Sequence, residues 1–69
     1  MTESLGTALP AEMARVRDVV IPAYETCGPV SIFAVACMKH DLDRAARALA
    51  EGDVVEMIAV YRELRTYKL

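Results

Sequence analysis

Val30 to Met38 read VSIFAVACM, nine positions in which Ser31 is the one polar side chain. Wound into a helix, this stretch is apolar on every side, a pattern found in the cores of large proteins or in membranes. It falls well short of the roughly 20 apolar residues that span a bilayer. The chain has 69 residues, and a domain of that size hides only roughly 60% of the surface its unfolded form exposes. One copy therefore lacks the material to wrap such a helix. The pattern predicts a helical protein that completes its core with a second chain, either its own copy or a partner.

Chains this small rely on disulfides, a metal, oligomerisation or very tight helix packing. The two cysteines, Cys27 and Cys37, are even in number. No charged n-region leads into a hydrophobic h-region and cleavage site, so an oxidising compartment is not indicated and both are read as buried thiols. His40 is the lone histidine, and neither CxxC nor HxxxH spacing occurs, so neither a metal nor another cofactor is expected. Oligomerisation is the remaining route. The net charge of −2 argues against nucleic acid as ligand, because tracking phosphates calls for a clustered excess of Lys and Arg. Hydrophobic residues make up 55% of the chain, with three Gly and three Pro, which describes a folded single domain over 1–69 with no membrane segment.

Two punctuation points divide the chain into three helices, an all-α architecture of antiparallel hairpins. Gly28-Pro29 suits a left-handed residue past one helix end followed by the first turn of the next. In Glu51-Gly52-Asp53, Gly52 closes a helix, and Asp53 with Glu56 forms a D-x-x-E capping box ahead of the run Val54 to Tyr61. Residues 1–8 read as a flexible tail. The first helix runs from Leu9 or Pro10 to Cys27 with the seam Leu9, Met13, Val16, Val20, Ala23 and Cys27. Pro22 must remove the bond to the Asp18 carbonyl, so this helix is expected to kink there, with a break into two short helices as the alternative.

The second helix, Pro29 to Glu51, carries Lys39, Asp43, Arg47 and Glu51 as a solvated stripe. Leu42, Ala45, Ala46 and Leu49 are its inner face. The third helix, Val54 to Tyr67, is expected to bury Val54, Met57, Ile58, Tyr61 and Leu64 and to leave Arg62, Glu63, Arg65 and Lys68 outside. In the dimer interface the pattern places Ile21, Ile32, Phe33 and Ala36.

No catalytic constellation assembles. His40 and Asp41 are adjacent on a helix and point about 100 degrees apart, while Ser31 lies more than about 10 Å away along the axis. Asp41 and Asp43 diverge for the same reason. Ala48, Gly52 and Ile58 have helix-turn-helix spacing, but the would-be recognition helix begins Asp53-Val54-Val55-Glu56 and offers no Arg, Asn or Gln to base edges. Glu51, Asp53 and Glu56 would also repel phosphates. These three carboxylates, with Tyr61, are instead the candidate partner-binding surface, an acidic corner that docks on a basic one. Helix capping accounts for Asp53 and Glu56 without any partner.

The order of segments, LPAEMARVRDVVIPAYE over 9–25 and then GPVSIFAVACMKHDLDRAARALAEGDVVEMIAVYRELRTY over 28–67, covers almost the whole chain. It resembles the phage-encoded quorum-sensing anti-activators, small proteins from the early end of transposable phage genomes. The resemblance implies a helical homodimer in the host cytoplasm that binds a LuxR-type transcriptional activator and keeps it off DNA. It also implies a second inhibitory contact, to the ATPase that drives type IV pilus assembly. No functional residue carries over, because length, segment order and texture make the likeness. A helix-turn-helix DNA-binding regulator and a structural helical adaptor are the alternative readings.

Overall fold

A computed structural model describes residues 4–68, which are helical apart from short turns and contain no strand. Four α-helices follow one another: α1 (Leu5–Arg15), α2 (Ile21–Glu25), α3 (Ile32–Glu51) and α4 (Val54–Thr66). A π-helical turn, Val16–Val20, joins α1 to α2, and a 3₁₀ turn, Gly28–Ser31, leads into α3. These elements form the three expected helical rods, the first being α1, the π turn and α2 in unbroken succession.

The first rod begins at Leu5, four residues before the sequence reading placed it. Gly6 and Thr7 are weak helix formers, which made 1–8 look like a tail. Tertiary burial outweighs that preference, since Ala8 and Leu9 are buried and Leu5 packs on the core one turn below Leu9. The expected tail is thus helical from Leu5, and residues 1–3 lie outside the described part of the chain.

Pro22 is accommodated without a break. It occupies the first turn of α2, and just before it the backbone widens, with the Ile21 N–H bonding the Val16 carbonyl. Proline both lacks an N–H and presses its ring on the carbonyl four residues back. A π turn at that place relieves the second problem, and Pro22 itself is exposed, so the freed carbonyls can reach water.

Both glycine boundaries are as read. Gly28 has φ of 81° and Gly52 of 68°, the left-handed region that other residues enter at a cost. At Gly52 the chain closes α3 with a Schellman pair, Asp53 N–H to Ala48 O at 3.0 Å and Gly52 N–H to Leu49 O at 3.3 Å. Asp53 then caps α4 by accepting from the Glu56 N–H at 3.1 Å. The side chain of Glu56 turns instead to Arg44, so half of the expected capping box forms.

The core joins all three rods through Leu9, Val16, Val20, Ile21, Val35, Met38, Ala45, Ala48, Met57, Val60 and Leu64. Leu9, Met38 and Leu64 are among the largest side chains that are completely covered. Each contributes about 1.5–3 kcal/mol relative to exposure. α4 packs on both α3 and α1. Its buried stripe is Met57, Val60 and Leu64, with Tyr61 half-buried, while Val54 and Ile58 are exposed, contrary to the expected stripe. Ala46 likewise faces solvent rather than the inner side of α3. The solvated stripe Lys39, Asp43, Arg47 and Glu51 is exposed as expected.

Candidate functional site

The start of α3 is one of the places where the chain leaves apolar surface uncovered. Val35 and Met38 point into the core, but Val30, Ile32 and Phe33 are exposed, Phe33 by 81%. Beside Phe33 runs an open groove of about 500 Å³ lined by Pro29, Ile32, Val35 and Ala36, with Glu25 and Lys39 at its edge. Those two charges stand 3.8 Å apart. An exposed aromatic knob next to an apolar groove on one helix start is a contiguous patch of the kind that marks a protein-binding surface. Of the four residues assigned to a dimer contact, Ile32, Phe33 and Ala36 lie on this face. Ile21 does not. It is 6% exposed and belongs to the core, because the π turn rotates α2 relative to a regular helix and carries Ile21 inward beside Val20.

The thiols differ from expectation too. Cys27 is exposed and Cys37 half-buried, and both are free. Cys27 falls in the turn after α2, beyond the last residue whose seam position faces the core, and its Sγ lies 3.7 Å from the Ala23 carbonyl.

At the other end of α3 a smaller cleft of about 170 Å³ is lined by Arg44, Arg47, Ala48, Glu51, Asp53 and Glu56. The structure thus gathers three of the four proposed partner-binding residues, and their roles differ. Asp53 is committed to the cap, Glu56 is paired with Arg44, and Glu51 is exposed without an ion pair among the described residues. Tyr61 stands apart, about two turns along α4, with the Arg65 guanidinium 5.7 Å over its ring.

Asp41 had no assigned role and proves to be the one buried acid of α3. It accepts a 2.6 Å hydrogen bond from the Tyr67 hydroxyl and a 3.2 Å bond from Arg44. Arg44 therefore bridges Asp41 and Glu56, and the Glu56 hydrogen bond first, then Asp41, pushes its guanidinium pKa further up. Burial, reinforced by the hydrogen bond to Asp41, likewise raises the Tyr67 hydroxyl. This network is a brace between α3 and the end of α4. The signal that could have found it is Asp41 itself, a charge on the inward side of a helix that needs a donor.

Nothing nearby adds up to acid–base or nucleophilic chemistry. The Ser31 hydroxyl donates to the Gly28 carbonyl at 2.8 Å, and His40 Nδ1 is 3.8 Å from Asp41 Oδ1, beyond hydrogen-bond range. Among the described residues no group of three or more His, Cys, Asp or Glu could hold a metal ion. No described helix is long and apolar enough to cross a membrane. Comparison with protein-family models, with curated proteins and with solved structures finds no match to this chain.

Proposed function

We propose that this protein is a non-catalytic, homodimeric inhibitor that works by occupying the surface of another protein. The observation that carries the reading is Phe33, a large aromatic side chain 81% exposed beside an apolar groove. In a two-fold contact the knob of one copy meets the groove of the other and the reverse, so a single patch serves both sides. Dimerisation would cover the side of VSIFAVACM that one chain leaves bare.

The likeness to the phage anti-activators supplies the target. It is the host's LuxR-type quorum-sensing activator, held off DNA by protein–protein binding in the host cytoplasm. The pilus assembly ATPase is a second target of the same kind. The alternative of direct DNA binding finds no support at the start of α4, where the exposed side chains are Val54 and Val55 and the neighbouring charges are Glu51 and Asp53. An adaptor without inhibitory action is the other reading, and one experiment separates all three. A LuxR-type activator is bound to its operator duplex and titrated with the purified protein. Release of free duplex at near-stoichiometric protein supports inhibition. A shift of duplex by the protein alone identifies a DNA-binding regulator, and a ternary complex on DNA identifies an adaptor. Either of the last two overturns the proposal.

A further inference from the structure

We draw no further inference here: the strongest candidate, the exposed apolar patch of Val54, Val55 and Ile58 at the start of α4, carries nothing, because the exposed charges around it, Glu51 and Asp53 with Arg47 and Arg62, are of both signs and nothing in the structure shows what covers it.

Discussion

Tyr67 donates a 2.6 Å hydrogen bond to Asp41 across 26 residues of sequence, fastening the residue that ends α4 to the middle of α3. Other bonds secure the same end. Arg15 donates to the Leu64 carbonyl at 3.0 Å and the Tyr24 hydroxyl to the Lys68 carbonyl at 3.1 Å. Arg15 thus takes up one carbonyl of the last turn of α4, and Tyr24 ties down the chain just beyond it. These bonds add to the burial of Met57, Val60 and Leu64 and to the Arg44–Glu56 pair in holding α4 on the bundle.

Replacing Tyr67 with Phe keeps the ring and leaves an Asp41 oxygen without its donor. The expected loss is about 1–3 kcal/mol of stability, read from urea unfolding at neutral pH. The pH dependence has a defined sign. Burial, then Asp41, raises the Tyr67 pKa in the folded state above its ordinary 10.0. The resulting stabilisation is complete below the unfolded value and is lost as pH rises from about 10 through the raised folded one. Stability of the parent protein should fall more steeply above pH 10 than that of Tyr67→Phe, and parallel curves would show that Tyr67 is not coupled to folding.

The helix boundaries were legible because Gly28 and Gly52 leave no ambiguity about where a left-handed residue is needed. The facing of α4 was not. In VVEMIAVY over 54–61 apolar residues occur at nearly every phase, so periodicity alone could not choose between the stripe through Ile58 and the one through Val60. Contact with both α1 and α3 made that choice. Ile21 is misplaced because a π turn shifts the register of the helix that follows it, and no residue pattern announces one; the cysteines are misplaced because the usual burial of free thiols says nothing of a cysteine in a turn, as Cys27 is, or at the edge of a helix face, as Cys37 is. Asp41 depends on Tyr67, and a partner 26 positions away lies outside any local window. The exposed Ile32, Phe33 and Ala36 were readable because a short chain cannot cover such a run.

At Gly52 a Cβ would meet open space, so only the backbone objects, with φ at +68°. Gly52→Ala should therefore cost about 1–2 kcal/mol through the left-handed conformation alone. Asp53→Ala should cost about 1 kcal/mol through the lost cap. Thermal unfolding of the two variants checks both, and a neutral Gly52→Ala would mean that the turn can relax into another geometry.

Cys27 should react quickly with a thiol reagent in the native protein, and Cys37 more slowly, in line with their exposure. Cys37 follows Phe33 by one helical turn, on the same side of α3. If Phe33 is covered in a dimer, Cys37 labelling should slow further as protein concentration rises while Cys27 labelling does not change. Mass spectrometry of peptides after timed labelling distinguishes the two, and concentration-independent rates at both sites would count against the dimer.

Phe33→Glu places a charge where the proposed dimer would bury it. With Phe33 this exposed in a single chain, the variant should keep its helical spectrum and sediment as a monomer, because an unpaired charge buried in an interface is strongly unfavourable. Sedimentation equilibrium at micromolar concentration is the measurement. A parent protein that is already monomeric and folded there would remove the premise.

Glu51→Lys tests, on kinetic grounds, the acidic corner expected to bind a partner. Glu51 is exposed, lies at the last residue of α3 and takes no part in the Asp53 cap, so its reversal should leave stability within about 0.5 kcal/mol. An edge charge steers encounter more than it adds to net affinity. The variant should therefore associate more slowly with a basic partner at low salt, with the two proteins converging as salt is raised and the field is screened. Stopped-flow association across a salt series reads this directly. An unchanged rate at low salt would reduce Glu51 to an ordinary helix end and place the steering charge elsewhere on the molecule.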